Sequence, residues 1–384
     1  MNRFKIRTEV RFNKNALDTL YEFEGRSAVI ITDKFMVSSG LINKILDKMQ
    51  GYKSIAVFDE ITPDPTTELI AKGLKFITEN KGEIVIALGG GSAIDAAKAI
   101  VLMGEKSGLG DLLLIAIPTT SGTGSEVTKF AVVTDAAEGR KFPLVDEQLI
   151  PDLAILDPEL VISAPPSVTA DTGMDVITHA FEALVSLNNN DASDALAEKA
   201  LLLAFKFLPF AVRHGDDVTA REKMHSASCL AGMAFNEVGL GVNHSIAHAL
   251  GAKFHIPHGR ANALLLPHVI RFNAHLRACF GNEPTMAAER YADIARKIGL
   301  PHDNVRIAVE SLIEEIQHMM RRMDMPATLW DAGVTPEQFK KEKENIINSA
   351  LEDACTPSNP REVDKAGIER ILSHITPDMQ KTES

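Results

Sequence analysis

The feature that most constrains the fold is an alternation of apolar runs and amphipathic stretches over roughly the first 160 residues. Short β-branched or apolar runs predict strands, and apolar residues three and four positions apart predict helices packed on a sheet. This alternation is typical of βαβ units with a mostly parallel sheet. The predicted strands are Ser27–Asp33, Ser54–Asp59, Glu83–Leu88 and Leu112–Ile117, and the predicted helices are Val37–Met49, Thr66–Glu79 and Ser92–Met103.

The sequence changes character after Asp157. The break at Pro165, Pro166 and Ser167 is followed by long segments rich in Ala, Leu, Glu and Met, which predict helices. A length of 384 residues also favours two domains. We therefore expect an α/β domain over residues 1–162 and an all-helical domain over residues 163–384.

Composition excludes several classes of protein. An apolar fraction of 45% is ordinary for a globular chain, and no apolar run is long enough to span a membrane. The amino terminus lacks the apolar run of a secretory signal, so we expect a cytoplasmic protein. The net charge of −12 argues against nucleic acid as a partner. Three widely separated cysteines favour neither a disulfide framework nor a CxxC metal site.

The segment Glu83–Lys98 reads EIVIALGGGSAIDAAK, a strand that runs through three glycines into a helix-forming sequence. Glycines let the backbone approach a ligand closely, and the following helix presents free N–H groups to a phosphate. Ser92 and Asp95 also have the spacing of a capping box at the start of that helix. Because the spacing of the dinucleotide fingerprint is absent, an ordinary strand-to-helix turn is the alternative.

The next strand ends in a second glycine-rich loop, which reads TTSGTGSEVT after Pro118. Two such loops at the carboxyl ends of adjacent parallel strands match the place where open α/β sheets bind ligands. Asp33 ends an earlier strand, where a carboxylate could bind a ribose and repel a 2′-phosphate, which favours NAD over NADP. The alternative is that Asp33 only caps the following helix.

A second cluster of polar residues predicts a metal site. Asp175 and His179 are four residues apart in TGMDVITHAFE, on one face of a helix and among apolar neighbours. A buried carboxylate needs a counter-charge, and three imidazoles with one carboxylate suit zinc or ferrous iron. Six of the twelve histidines lie within 32 residues downstream: His244, His248, His255, His258, His268 and His275. Spacing alone does not choose among these six.

Four segments together resemble the iron-containing (group III) alcohol dehydrogenases. These segments are GGGSAIDAAK, PTTSGTGSEVT, TGMDVITHAFE and VNHSIAHALGAKFHIPHGRANALLLP. The resemblance extends in order from the first strand to about Asn273, and it is looser over the remaining residues. It implies a dehydroquinate-synthase-like fold, with an α/β NAD-binding domain followed by an all-helical metal-binding and catalytic domain.

The resemblance also assigns roles to individual residues. It implies that one divalent metal, Fe(II) or Zn(II), is bound by Asp175, His179, His244 and His258, and that His248 lies beside the nicotinamide. We assign the relay of the proton to His248 as a hypothesis, because the pKa of histidine lies near the working pH. The metal would act as a Lewis acid on the substrate oxygen, and the adjacent carbon would pass hydride to NAD. The implied cofactor contacts are Asp33, Gly90, Gly91, Ser92, Thr119, Thr120, Thr123 and Lys141.

Phe130 and Phe235 align with family positions near the substrate. Phe130 replaces an Asn that similar diol-forming enzymes have, and an apolar wall gains little from an extra hydroxyl. We therefore expect a short-chain primary alcohol and its aldehyde as substrates. The family also implies a homodimer or a larger homo-oligomer.

Other functions fit parts of the pattern. Within the family, the alternatives are a diol (lactaldehyde) or a 4-hydroxybutyrate-type dehydrogenase. A dehydroquinate-synthase-like lyase or a glycerol-phosphate dehydrogenase would need several cationic side chains at the metal site, and the main candidates are Lys253 and Arg260. A non-catalytic protein that binds NAD or sequesters metal is a further alternative.

Overall fold

The computed structural model describes residues 4–135, 140–276 and 283–377, and the side chains of residues 140 and 141 are outside this description. The chain forms two compact units. The first comprises Met1–Ala164 and Asp216–Asn236, and the second comprises Pro165–Gly215 and Glu237–Ser384. The division after residue 164 lies two residues beyond the expected boundary. The segment 216–236 belongs with the first unit, although its sequence resembles that of the helical half.

The first unit is built on a six-stranded sheet with the order β1-β8-β5-β4-β2-β3, in which every paired neighbour is parallel. Strands β2 and β4 are buried almost throughout, as expected of a parallel sheet covered on both faces. The sheet strands are β1 Glu9–Phe12, β2 Ser27–Asp33, β3 Ser54–Ile61, β4 Ile84–Gly89, β5 Leu113–Pro118 and β8 Leu153–Leu156. An antiparallel hairpin adds β6 Phe130–Asp135 and β7 Arg140–Val145.

The helices between these strands are α1 Lys34–Ser38, α2 Leu41–Leu46, α3 Thr67–Asn80 and α4 Gly91–Lys106. The prediction of one helix over Val37–Met49 is wrong. Gly40 has a φ of 76°, a left-handed conformation that ends α1 and starts α2. The segment 216–236 supplies most of α7, Val218–Val238.

The strand order places a ligand site at a defined edge of the sheet. The chain winds outward from β2 to β3 on one side and from β4 to β5 on the other, so its direction reverses between β2 and β4. Open α/β sheets bind ligands at the carboxyl ends of the strands beside such a reversal. Asp33 and the loop that begins at Gly89 lie at these ends.

The described residues of the second unit form helices and one 3-10 turn, Thr356–Ser358. The predicted fold class, an α/β part followed by a helical part, is thereby confirmed. None of the described helices is both long enough and apolar enough to cross a membrane. The helices are α5 Pro166–Val185, α6 Asp191–Arg213, α8 Val242–Phe254, α9 His258–Ala274, α10 Met286–Lys297, α11 Val305–Arg322, α12 Pro336–Glu352 and α13 Lys365–Ile375.

Candidate metal centre and nucleotide site

Helix α5 carries a row of ionisable side chains into the interior of the second unit. From Thr169 to Val185 it is buried almost all round, and most of its side chains outside this row are apolar. Asp171, Asp175, His179 and Glu182 follow one another at spacings of four, four and three residues, which places them along one side of the helix. Buried charges arranged in this way need partners from neighbouring helices.

Helices α8 and α9 bring two histidines to this row. The Oδ1 atom of Asp175 lies 3.9 Å from Nε2 of His179, 3.6 Å from Nε2 of His244 and 3.5 Å from Nε2 of His258. One donor atom from each of the four residues lies within 4.8 Å of all the others. The structure therefore brings together the four residues that the resemblance proposed as ligands.

Gly259 permits this arrangement. A Cβ atom at Gly259 would overlap the backbone carbonyl of Asp171 and would lie 3.3 Å from the Cβ of Asp175. Only glycine lets the first turn of α9 lie this close to α5. Since His258 is the first residue of α9, the close approach carries its imidazole to Asp175.

The donor set fits a divalent metal. Metal–ligand distances of about 2.0–2.2 Å place the ligand atoms of a tetrahedral site roughly 3.3–3.6 Å apart. The distances of 3.5, 3.6 and 3.9 Å from Asp175 to the three imidazoles are close to that spacing. Three imidazoles and one carboxylate are a donor set suited to zinc or ferrous iron.

Glu182 extends the site beyond these four residues. Its Oε2 atom lies 2.5 Å from Nδ1 of His244, and its Oε1 atom accepts a hydrogen bond of 2.7 Å from the backbone N–H of Asn243. A carboxylate on Nδ1 leaves Nε2 of the same ring available as a ligand atom. Sequence reasoning missed Glu182, although its place seven residues after Asp175 on one helix was a usable signal.

The charges in this cluster shift the pKa values of its members. Burial acts to lower the pKa of His244, but the carboxylates of Glu182 and Asp175 outweigh burial and raise this pKa to about 9. Burial acts to raise the pKa of Asp175, but His179 and the other imidazoles hold it well below its usual value. Asp175 is therefore a carboxylate, as a metal ligand must be.

His248 lies beside the four residues but has a different partner. Its Nδ1 atom lies 2.9 Å from Oδ2 of Asp353, and its ring stacks on that of His258 with centroids 5.4 Å apart. The side chain of His248 is 43% exposed, whereas that of His244 is 1% exposed. The two histidines, four residues apart on α8, therefore occupy different environments. Sequence reasoning missed Asp353, which lies 105 residues away.

The remaining histidines of the cluster lie in other surroundings. His255 and His275 cap the carboxyl ends of α8 and α9 in left-handed conformations. His268 stacks on His374 with ring centroids 5.0 Å apart. None of these three belongs to a group of metal-ligating side chains among the described residues.

In the first unit, the two glycine-rich loops lie side by side at the carboxyl ends of β4 and β5. Thr119 donates its backbone N–H to the carbonyl of Gly89 at 2.9 Å. A Cβ atom at Gly90 would lie 3.4 Å from Oγ1 of Thr120, and one at Gly91 would lie 2.9 Å from Cγ2 of Thr123. The loops present hydroxyl groups and the amino end of α4 together, an arrangement suited to a pyrophosphate.

Asp33 faces the same loops from the neighbouring strand. Its Oδ1 atom caps α1, accepting hydrogen bonds from the backbone N–H groups of Phe35 and Met36 at 2.8 and 3.1 Å. Its Oδ2 atom would lie 3.6 Å from a Cβ atom at Gly89. Capping is therefore a role of this carboxylate, and its second oxygen points to the glycine loop. The side chain of Lys141 lies outside the described part of the chain.

The predicted capping box of Ser92 and Asp95 is wrong. Helix α4 begins at Gly91, and its N-cap residue, Gly90, has no side chain with which to cap it. Asp95 is instead half-buried and accepts hydrogen bonds from Oγ of Ser125 and the backbone N–H of Val132, at 2.5 and 2.9 Å. The carboxylate, one turn inside α4, thus ties the second glycine-rich loop to strand β6.

Lys98 lies one turn further along α4 and is fully buried. Its Nζ atom donates to Oγ of Ser125, to Oγ1 of Thr128 and to the carbonyl of Phe130, at 3.0, 3.1 and 2.8 Å. Burial lowers the pKa of Lys98 to about 8, against the opposing effect of Asp95. This buried lysine fixes the start of β6, and sequence reasoning did not single it out.

The two predicted substrate residues lie close together in the first unit. The rings of Phe130 and Phe235 have centroids 6.4 Å apart and are inclined at 35°. The backbone carbonyl of Phe130 accepts a hydrogen bond from Nζ of Lys98, and Phe235 lies on α7. The pair forms an apolar surface beside the second glycine-rich loop.

Comparison with known proteins extends this description. The family model described as iron-containing alcohol dehydrogenase matches residues 7–158, and that of the Fe-containing alcohol dehydrogenase family, C-terminal, matches residues 169–376. The 1-propanol dehydrogenase PduQ of Salmonella typhimurium is 44% identical, over 98% of this chain and 100% of that protein.

Two solved structures are similar over nearly their full length. A crystal structure of 1,3-propanediol oxidoreductase has a TM-score of 0.88 at 34% identity and covers 97% of this chain and 99% of its own. The sulfoacetaldehyde reductase of Bifidobacterium kashiwanohense, solved in complex with NAD+, has a TM-score of 0.87 at 30% identity and covers 98% of this chain and 99% of its own.

Proposed function

Since this chain belongs to the iron-containing alcohol dehydrogenase family and is an alcohol dehydrogenase, we propose that it interconverts a short-chain primary alcohol and its aldehyde with NAD(H) and one divalent metal. The observation that carries this proposal is the group of four donor atoms around Asp175. Asp175, His179 and His244 are buried, the side chain of His258 beside them is 42% exposed, and a buried carboxylate that faces three imidazoles is a site suited to a cation.

The metal would be held by Asp175, His179, His244 and His258. When bound, it would supply Lewis-acid stabilisation of negative charge on the substrate oxygen. Glu182 would hold the ring of His244 in the orientation that directs Nε2 to the metal.

His248 is the group proposed to move the proton of the alcohol. It is half-exposed, so it can exchange a proton with solvent, and it lies beside the ring of His258. Oδ2 of Asp353 would accept a hydrogen bond from Nδ1 of His248 and stabilise the protonated ring, as a carboxylate does for a catalytic histidine. The proton would leave through Nε2 of His248.

The first unit would bind the dinucleotide. The pyrophosphate would bind at the amino end of α4, where it would contact Gly90, Gly91 and Ser92. The remainder of the dinucleotide would contact Thr119, Thr120 and Thr123. The Oδ2 atom of Asp33, the oxygen opposite the one that caps α1, would accept hydrogen bonds from the adenosine ribose, and its charge would disfavour a 2′-phosphate. We therefore propose NAD as the preferred cofactor, with Lys141 as a further contact.

An unfunctionalised short chain is the proposed substrate class. Phe130 and Phe235 offer no hydrogen-bond partner to a second hydroxyl, so a diol or hydroxy-aldehyde would gain little from contact with them. The name of the 1-propanol dehydrogenase at 44% identity agrees with this class. The 1,3-propanediol oxidoreductase keeps the diol-forming alternative open to experiment.

The lyase and glycerol-phosphate alternatives have less support. Both need cationic side chains free to bind an acidic substrate at the metal site. Arg260 instead binds Asp171 through two hydrogen bonds of 3.1 and 3.0 Å, and Nζ of Lys253 lies 3.3 Å from Oε2 of Glu342. Both candidate cations are therefore committed to acidic partners.

A spectrophotometric panel tests this proposal. Protein reconstituted with iron or zinc would be assayed with ethanal, propanal, butanal and lactaldehyde against NADH and NADPH, and with the corresponding alcohols against NAD+ and NADP+. We expect the highest kcat/KM with an unsubstituted aldehyde and NADH. A higher kcat/KM for lactaldehyde than for propanal would contradict the substrate assignment. The absence of net NADH oxidation with every aldehyde of the panel would contradict the whole proposal. Light scattering on the same preparation would test the proposed homo-oligomer.

A further inference from the structure

Asn262 lies against three of the four proposed ligand atoms. Its Nδ2 atom lies 2.7 Å from Oδ1 of Asp175, 3.0 Å from Nε2 of His244 and 3.2 Å from Nε2 of His258. Asn262 is fully buried and lies four residues after His258, on the same side of α9. A buried amide needs partners. Of these three atoms, only Oδ1 of Asp175 can accept the hydrogen bond and still bind a metal, because a carboxylate oxygen has more than one lone pair and an imidazole Nε2 has one.

Asn243 sets which end of the Asn262 amide faces these atoms. The Nδ2 atom of Asn243 lies 3.2 Å from the backbone carbonyl of Asn262 and 2.9 Å from its Oδ1. A backbone carbonyl only accepts hydrogen bonds, so Asn243 must direct its NH2 group toward Asn262. The Oδ1 atom of Asn262 must then face Asn243, which leaves its Nδ2 directed at the metal-binding residues.

Asn243 is itself held in place. Its backbone N–H donates to Oε1 of Glu182 at 2.7 Å, and Oε2 of the same carboxylate contacts His244. A continuous path of hydrogen bonds therefore runs from Glu182 through Asn243 to Asn262 and ends on Asp175. All four side chains are buried.

We infer that Asn262 is a positioning residue of the metal centre, oriented by Asn243, and that it raises metal affinity by holding the ligand oxygen of Asp175 in place. An amide nitrogen has no lone pair to give a cation, so Asn262 is not a ligand. It donates a hydrogen bond to the one oxygen that all three imidazoles face. The inference rests on the proposed metal site and adds two residues to it.

The test compares metal affinity in four variants by competition with a chromogenic zinc chelator. Asn262→Ala is expected to bind Zn(II) about 10–100-fold more weakly than the unsubstituted protein. The matched control is Asn273→Ala, which removes a buried amide from the same helix. Asn273 pairs with Asn359 at 2.9 and 3.2 Å and contacts none of the four ligands. We expect Asn273→Ala to lower thermal stability similarly but to leave zinc affinity unchanged.

Asn243→Ala and the double variant test the orientation. Asn243→Ala is expected to weaken zinc binding in the same direction but less, because the amide of Asn262 can then turn. The double variant should bind zinc as weakly as Asn262→Ala alone, since Asn243 acts through Asn262. If Asn262→Ala does not fold, Asn243→Ala still tests the path.

Two results would overturn the inference. One is a zinc affinity of Asn262→Ala equal to that of the unsubstituted protein, and the other is an equal loss in Asn273→Ala. Because the readout is metal binding, the outcome is separate from the proposed function. A protein that loses zinc affinity as expected but oxidises no alcohol would retain this inference and lose the proposed activity.

Discussion

The carboxylate of Glu182 contacts Nδ1 of His244 at 2.5 Å, while Nε2 of the same ring faces Oδ1 of Asp175 at 3.6 Å. The imidazole is therefore held between two carboxylates, one behind it and one at the proposed metal site. Such an outer carboxylate fixes the tautomer of a metal-binding histidine and raises its basicity. This relationship allows the outer contact to be changed without removing a ligand.

Glu182→Gln keeps the shape of the side chain but removes its charge. We expect zinc affinity to fall about 10–100-fold, because Nδ1 of His244 loses its carboxylate partner. Glu198→Gln is the matched control, since Glu198 pairs with Lys297 on the surface and such pairs contribute little. Competition with a chromogenic chelator measures the zinc affinity of both variants. Unchanged affinity in Glu182→Gln would show that the contact does not support the metal site.

The raised pKa of His244 predicts how the stability of the metal-free protein depends on pH. Its value of about 9 lies above the ordinary value near 6.5, so the protonated ring stabilises the fold. This contribution is fully present below about pH 6.5 and is lost as pH rises through 9. We expect the contribution of His244 to the free energy of unfolding of chelator-treated protein, measured as the difference from Glu182→Gln, to fall by on the order of 1–3 kcal/mol over this range. The lowered pKa of Lys98 acts in the opposite direction, but it does so in both proteins and cancels in the difference.

Urea unfolding at pH 6.5 and 9.5 measures this change. Glu182→Gln removes the main group that raises the pKa, so its stability should depend less on pH. Metal must displace the proton of His244, so zinc affinity should rise over the same range. Equal pH dependence in both proteins would contradict the assignment to His244.

His248→Ala removes the proposed proton relay. We expect kcat for alcohol oxidation to fall about 10²-fold or more, with the metal content per chain retained. Asp353→Asn should lower kcat less, because it keeps His248 and weakens only the hydrogen bond to Nδ1 of that ring. Steady-state kinetics and metal analysis measure the two quantities. Loss of the metal from His248→Ala would refute the separation of roles.

Phe130→Asn introduces a hydrogen-bond partner into the proposed substrate wall. We expect the ratio of kcat/KM for lactaldehyde to that for propanal to rise at least about tenfold, since a hydroxyl then has a partner. The carbonyl of residue 130 keeps its bond to Lys98, so the backbone should be retained. An unchanged ratio would indicate that Phe130 does not contact the substrate.

The sequence predicted the parts of the fold in which apolar residues recur at regular spacing. The buried strands β2 and β4 and the helices α3 and α4 lie within a few residues of their predicted bounds. The short edge strand Glu9–Phe12 is mostly exposed and has no apolar run to reveal it. The break at Gly40 was visible as a glycine, but its left-handed conformation depends on how α1 and α2 pack.

The site was predictable where its residues share one helix. Asp175 and His179 form a pair by spacing alone, whereas the choice of His244 and His258 came from the resemblance. The supporting residues Asn262 and Asp353 act on partners 87 and 105 positions away, and no local pattern encodes such contacts. Asp95 shows the reverse case, since a local capping pattern was overridden by partners in another loop.

The most direct test of the account is metal dependence of NADH oxidation with propanal. Protein stripped by a chelator should be inactive, and activity should return as one Fe(II) or Zn(II) per chain binds. Asp175→Asn, which weakens the carboxylate ligand, should neither hold the metal tightly nor recover. Full activity in the stripped protein, or recovery of Asp175→Asn to the level of the unsubstituted enzyme, would contradict a metal-dependent dehydrogenase centred on Asp175.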